Sequence, residues 1–157
     1  MKKLIKISAF LLIFFAISRT SFSQEENIRQ KHFNIEKGVM MNGYDAVSYF
    51  IGKPIKGKSN FQFKYKSSTY LFSSQANLDK FKAEPAKYEP SYGGWCAYAM
   101  GAKGEKVEVD PETFKIINGK LYLFYNSFFN NTLTDWNEDE VNLKKKADIN
   151  WNNTIKQ

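Results

Sequence analysis

The residues best suited to chemistry lie in one ten-residue stretch, 92–101, which reads YGGWCAYAMG. It contains the only cysteine of the chain, Cys96, and Met100 follows four residues later. In a helix these two side chains would share a face. Thiolates and thioethers are the ligands that copper(I) and other soft metal ions prefer. The stretch therefore predicts a metal site that uses Cys96 and Met100.

The same stretch also predicts a small-ligand pocket. Two adjacent glycines allow a sharp turn or a close approach of the backbone, because neither carries a Cβ. Tyrosine and tryptophan on either side supply large, rigid contact areas. We add Tyr44 and Asp45, an aromatic and an acidic residue that are adjacent earlier in the chain. The predicted pocket residues are Tyr92, Gly93, Gly94, Trp95, Tyr98, Tyr44 and Asp45.

Cys96 has other interpretations. A single cysteine forms no intramolecular disulfide, so it is a free thiol, an intermolecular bridge, a metal ligand or a small buried structural side chain. A catalytic thiol needs a base that lowers its pKa. The only imidazole is His32, which lies in a polar segment far away in sequence. We therefore expect no enzymatic activity.

Residues 1–23 have the pattern of a secretory signal peptide. Lysines precede an apolar run over 7–17, and Ser21 and Ser23 occupy the two positions that a signal peptidase reads, which predicts cleavage before Gln24. The run is shorter than the roughly 20 residues that span a bilayer. We therefore expect a periplasmic or secreted protein with no stable membrane insertion after cleavage.

Removal of these residues changes the charge of the chain. The full sequence carries +7, but residues 24–157 contain 19 basic and 16 acidic side chains, a net charge of +3. Nucleic-acid binding favours a clustered basic face. Only Lys144, Lys145 and Lys146 cluster, and a solvated helix end accounts for them. We therefore exclude nucleic acid as a partner, and the sequence identifies no protein partner.

The remaining chain predicts one small α+β domain over 39–152, after a flexible polar lead-in over 24–38 and before a tail at 153–157. Residues 61–66 alternate in polarity, and with 69–72 they predict a hairpin that turns at Ser67-Ser68. A short helix over 75–83 follows, with Ser73 or Ser74 as its N-cap. Asn118-Gly119, between two apolar runs, predicts a second hairpin with a type I′ turn.

Residues 127–152 predict a helical C-terminus of one or two helices. The apolar residues expected on the first are Phe128, Leu133 and Trp136, and those on the second are Val141, Leu143, Ala147 and Trp151.

With these elements in order, the chain resembles the YHS domain family in its small exported form. The resemblance rests on the segments 43–50 (GYDAVSYF), 70–74 (YLFSS), 92–99 (YGGWCAYA) and 119–123 (GKLYL), with Phe81, Pro85, Tyr88, Asp110, Pro111 and Trp136 between or after them. The family is similar to treble-clef-like heavy-metal modules, in which cysteines hold the metal. The corresponding positions here are Ser48, Ser73 and Asn77, none of which carries sulfur.

The resemblance implies a role in binding or handling a metal ion in the cell envelope, with copper or another soft metal as the candidate cofactor. Serine and asparagine are poor ligands for such ions, so Cys96 is the residue left to bind one. The alternative is a small-ligand or protein interaction module in which Cys96 is a buried structural residue.

Overall fold

A computed structural model describes residues 24–157, and the predicted signal peptide lies outside them. The described chain is a mixture of helices and short strands, which confirms the predicted α+β class. Helix α1 covers 24–32. The strands are β1 (Ile35–Glu36), β2 (Val39–Met40), β3 (Lys58–Tyr65), β4 (Ser68–Phe72), β5 (Asp110–Ile117), β6 (Lys120–Phe124), β7 (Asn126–Ser127) and β8 (Asn130–Asn131). The later helices are α2 (Gln75–Ala83), α3 (Pro85–Tyr88), α4 (Ala97–Ala102), α5 (Thr132–Glu138) and α6 (Glu140–Thr154).

The first predicted hairpin forms the main sheet, in the order β1-β2-β4-β3. Strands β3 and β4 are antiparallel, and Tyr65 pairs with Ser68 across the turn. The turn therefore lies at Lys66-Ser67, one residue before the predicted Ser67-Ser68. Lys66 has a φ of +53°, and Ser68 is already buried in β4. Ser68, Tyr70 and Phe72 share the buried face of β4, and burial of the two aromatic rings sets the register, because a shift of one residue would reverse the two faces of the strand.

The second predicted hairpin is confirmed as β5–β6. Asn118 and Gly119 form its tip with φ values of +50° and +72°, as a type I′ turn requires. Helix α2 also has its predicted bounds, and Ser74 is the residue that caps it, since its hydroxyl accepts a hydrogen bond from the Asn77 amide at 3.2 Å.

Two apolar clusters hold the fold together. The first centres on Phe81, whose ring lies 4.6 Å from Tyr70 and 5.1 Å from Phe72 between ring centroids. The second centres on Trp136, which packs beside Tyr122 and Phe124 under helices α4 and α6. Strand β6 joins the two clusters, because its side chains alternate between them. Leu121 and Leu123 belong to the first cluster, and Tyr122 and Phe124 belong to the second.

The lead-in differs from the flexible segment that its polar composition predicted. Helix α1 is docked by Arg29, whose side chain is only 3% exposed. Its guanidinium donates hydrogen bonds to Glu89 Oε1 at 2.5 Å and to the Tyr70 hydroxyl at 3.2 Å, and it lies 4.2 Å from the Phe33 ring centroid. A buried charge is tolerated only when it is paired. The partner here is 60 residues away, so local composition gave no sign of it.

The C-terminus contains two helices, as predicted, but two lining residues were assigned wrongly. Phe128 is not in a helix, since residues 126–131 form the hairpin β7–β8 and Asn131 caps α5 through a hydrogen bond to the Leu133 amide. Val141 is on α6 but is 80% exposed. Helix α6 instead packs on α4 through Leu143, and it approaches closely because Gly101 has no side chain: a Cβ there would lie 2.5 Å from the Leu143 carbonyl oxygen.

Candidate functional site

Cys96 lies immediately before helix α4 and is completely buried. Its amide donates to the Val107 carbonyl at 3.0 Å, and its carbonyl accepts from the Met100 amide at the same distance. A bridge to Leu123 places it beside the end of β6. The thiol therefore lies where α4, β6 and the segment before β5 meet.

The sulfur of Cys96 belongs to a closed group of hydrogen bonds. The Tyr125 amide donates to Sγ at 3.4 Å, and Thr132 Oγ1 lies 3.4 Å from Sγ. The Thr132 hydroxyl donates to the Tyr125 carbonyl at 2.9 Å. Because that hydroxyl proton is directed to the carbonyl, the thiol is the donor toward Thr132. These contacts hold the start of α5 against the end of β6.

Above this group lies a cleft of about 280 Å³ with Cys96 at its base. Its lining is mainly apolar and aromatic, and two charged side chains, Lys103 and Glu105, are exposed. Small-molecule sites have this character, with apolar walls and a few polar groups. The lining residues are Cys96, Tyr98, Ala99, Ala102, Lys103, Glu105, Val107, Tyr125, Asn130 and Thr132.

Met100, the second predicted metal ligand, does not line this cleft. It is fully buried in the Trp136 cluster, on the inner side of α4. Within residues 24–157, no group of three His, Cys, Asp or Glu side chains is placed to hold a metal ion. Cys96 is thus the only soft ligand lining the cleft, and a soft metal needs more than one. The cleft therefore does not fit a heavy-metal site of the kind that the resemblance implies, in which several cysteines bind the ion.

Ser48, Ser73 and Asn77 surround the buried Asp45, and these are the positions at which the resemblance implied metal ligands. Asp45 Oδ2 accepts from the Ser73 amide at 2.9 Å, the Ser73 hydroxyl at 2.6 Å and Asn77 Nδ2 at 2.7 Å. Its Oδ1 accepts from the Val47 amide at 2.9 Å. The Ser48 hydroxyl donates to the Asp45 carbonyl at 2.7 Å. These oxygen and nitrogen atoms are engaged with one another, so they do not form a soft-metal site.

The Asp45 group therefore has a structural function. It connects the turn at 45–48 to the end of β4 and the first turn of α2. A buried carboxyl group with several donors stabilises such a junction, because hydrogen bonds to charged groups contribute about 1.5–3 kcal/mol each.

The other predicted pocket residues are distributed over the molecule. Tyr92 and Gly93 line a second cavity with Phe33 and Trp151. There Gly93 is required, since a Cβ would lie 2.7 Å from the Trp151 ring. Burial, followed by a hydrogen bond to Asp148, raises the pKa of the Tyr92 hydroxyl far above its usual value.

Gly94, Trp95 and Tyr44 lie apart from both cavities. Gly94 is buried and its carbonyl accepts from Asn34, while Trp95 Nε1 donates to the His32 carbonyl at 2.7 Å. Tyr44 donates to Glu112 at 3.0 Å on the surface. Of the predicted residues, only Cys96 and Tyr98 meet in the cleft.

His32 is also outside the cleft. Its ring nitrogen lies 3.1 Å from Lys106 Nζ. Burial, with the positive charges of Lys106 and Lys31, lowers the pKa of His32. It therefore forms no pair with the Cys96 thiol.

Sequence reasoning missed Thr132 and Tyr125, which fix the sulfur, and Val107, which lines the cleft. They come from separate segments and have no shared motif, so no local signal pointed to them.

Within residues 24–157, no helix is both long and apolar enough to cross a bilayer.

The fold and the site thus define a small α+β domain with a buried thiol beneath an apolar cleft. Residues 47–92 match the family model described as the YHS domain, which supports the resemblance to that family. Searches of curated proteins and of solved structures gave no match. The matched segment contains Ser48, Ser73 and Asn77 but ends before Cys96.

We predict that Asp45→Ala lowers the free energy of unfolding by about 3 kcal/mol or more, because it leaves several buried donors without an acceptor. Urea unfolding followed by tryptophan fluorescence measures this change. The control is Asp79→Ala, which removes an exposed carboxylate that accepts only from Gln75 in the same helix. Equal stability of the two variants would contradict a structural role for Asp45.

Proposed function

We propose that this YHS-domain protein is an exported, non-catalytic binding module that holds a small, largely apolar molecule in the Cys96 cleft. The observation that carries the proposal is the cleft itself, with Tyr98, Ala99 and Val107 among its walls and Lys103 and Glu105 exposed beside them. Its volume of about 280 Å³ is at the lower end for ligand sites. This favours a compact ligand with one or two polar groups.

The proposal assigns Cys96 a structural role at the base of the cleft. Its sulfur has two hydrogen-bond partners, and a thiol buried without a base is a poor nucleophile. The cleft is lined by no imidazole. A non-catalytic function is therefore the proposal that fits these contacts.

Copper handling in the envelope is the second candidate function. The YHS family is often linked to heavy metals, and the only thiol of the chain lines the cleft. Against it, Met100 faces the core and the serines and asparagine at the relatives' cysteine positions are bonded to Asp45. Ligand binding needs Cys96 only as a structural residue, whereas copper handling needs it as a metal ligand. An experiment that tests whether Cys96 binds copper therefore separates the two candidate functions.

Export is proposed from residues 1–23 alone. Their basic start, apolar run and small residues at 21 and 23 support it. A location in the periplasm or outside the cell would follow.

A fluorescent probe tests the cleft. We expect 8-anilinonaphthalene-1-sulfonate, which combines apolar rings with one anionic group, to bind residues 24–157 at one site. Ala102→Trp should fill the cleft and weaken binding of the probe at least about tenfold. A tenfold loss of affinity corresponds to about 1.4 kcal/mol of binding free energy. Ala83→Trp is the matched control, since both alanines are exposed and end a helix. Equal binding by both variants, or none by the unsubstituted protein, would refute the cleft as a ligand site.

Metal loading separates the two candidates. After incubation with Cu(I) or Zn(II) and desalting, we expect native mass spectrometry to show no retained ion for either the unsubstituted protein or Cys96→Ser, because one buried thiol is too few soft ligands. One copper ion retained by the unsubstituted protein and lost in Cys96→Ser would establish copper handling in its place.

N-terminal sequencing tests export. Expression of the full chain in a bacterium should give an exported form that begins at Gln24. Ser23→Lys should block cleavage, because it places a large charged residue at a position that the peptidase reads. Phe22→Lys adds the same charge at the position between and should be cleaved. An uncleaved chain that remains in the cytoplasm would contradict export.

A further inference from the structure

Phe128 and Phe129 form the tip of the hairpin β7–β8 and are almost entirely exposed. Their relative exposures are 99% and 107%, the highest among the exposed large apolar side chains of residues 24–157. Ser127 pairs with Asn130 directly beneath them. Asn130 also lines the Cys96 cleft, so the tip stands at the edge of that cleft.

The backbone of this tip is unfavourable for the residues that occupy it. Phe128 has a φ of +52°, a left-handed conformation that a bulky residue rarely adopts. The hairpin β5–β6 has Asn118-Gly119 at the same place, the pair that such turns prefer. Phe128 therefore carries a conformational cost, and neither Phe128 nor Phe129 gains packing within the described fold. Their benefit must come from something outside it.

The hairpin itself carries no charge, and the charged side chains that line the cleft are Lys103 and Glu105. Residues 121–134 contain no charged side chain, and the tip is bordered by Asn126, Ser127, Asn130 and Asn131. An apolar end on an uncharged polar base can enter the interface of a lipid bilayer without desolvating an ion, which would be costly. The backbone pairing of β7 with β8 also satisfies the polar groups that such entry would bury.

The size of the patch argues against a stable protein partner. A specific protein interface buries about 800 Å² on each side, and a phenylalanine contributes at most about 150–250 Å². The other strongly exposed apolar residues lie on different elements: Ile51 on the turn after Ser48, and Val141 and Ile149 on α6. A bilayer needs no complementary surface, so two protruding rings suffice for weak, reversible binding.

We propose that the Phe128-Phe129 tip inserts into the interfacial region of a lipid bilayer and holds the protein reversibly at the membrane surface. The cleft then opens beside the lipid. The proposal stands independently of whether the cleft binds a ligand, since it rests on the exposure of the two phenylalanines, the backbone conformation of Phe128 and the absence of charged residues from 121–134.

Vesicle flotation of residues 24–157, which contain the whole described fold, tests the proposal. The vesicles are phosphatidylethanolamine with phosphatidylglycerol, and phosphatidylcholine alone is the neutral comparison. The key variant is Phe128→Asn with Phe129→Gly, which installs the turn of the other hairpin. We expect it to keep or raise the melting temperature and to partition about 100-fold more weakly. Val141→Ser with Ile149→Ser is the matched control, which removes two exposed apolar side chains from α6 and should retain binding.

Three outcomes would overturn the proposal. The unsubstituted protein could fail to float with either type of vesicle. The Asn-Gly variant could bind vesicles as well as the unsubstituted protein does. Sedimentation could show that the unsubstituted protein self-associates and that only the Asn-Gly variant is monomeric, which would make a second copy of the chain the partner of the tip.

Discussion

The buried carboxyl group of Asp45 is the interaction on which the first half of the fold depends. It accepts hydrogen bonds from the turn that follows it, from the end of β4 and from the first turn of α2. These segments lie about 30 residues apart, and the contacts set the position of α2 over the sheet. Phe81 on that helix can then fill the centre of the first core. The resemblance to heavy-metal modules implied metal ligands at Ser48, Ser73 and Asn77, and in this structure all three are hydrogen-bonded to Asp45.

The second half of the fold depends on close backbone approaches. Gly93 admits the rings of Phe33 and Trp151, and Gly101 admits the backbone of α6 at Leu143. These contacts hold α4, and α4 begins directly after Cys96. The Cys96 sulfur accepts a hydrogen bond from the Tyr125 amide and contacts the Thr132 hydroxyl, and these two contacts close the connection between β6 and α5. The cleft and the hairpin tip are both built on this connection, so ligand and lipid would meet the same rigid junction.

Local patterns in the sequence predicted the local structure well. The Asn118-Gly119 pair predicted its hairpin because a type I′ turn needs positive φ at both positions, and a serine before the apolar spacing of 75–83 predicted α2 and its cap. These local patterns did not predict contacts between residues that are far apart in the sequence. The polar composition of 24–38 predicted flexibility, because nothing local indicates that Arg29 pairs with Glu89. The spacing of Phe128 from Leu133 and Trp136 predicted a helix. In the structure Asn126 pairs with Asn131, so Phe128 lies in the turn of a hairpin instead.

The candidate site was predicted only in part for the same reason. Cys96 and Tyr98 were identified from their types and spacing, and both line the cleft. Met100 has the right spacing but faces the core, because α4 turns that side toward Trp136. Asp45 was expected in a pocket, whereas its five donors, which come from different segments, make it a structural group.

The central claim is that hydrogen bonds to the Asp45 carboxyl group, with no requirement for a metal ion, connect the turn at 45–48 to the end of β4 and the first turn of α2. The most direct test is thermal unfolding of residues 24–157 before and after exhaustive treatment with EDTA and a copper(I) chelator. We predict the same melting temperature in both states, because no group of three His, Cys, Asp or Glu side chains within residues 24–157 is placed to hold a metal ion. A lower melting temperature after chelation, restored by one equivalent of a metal ion, would contradict the claim.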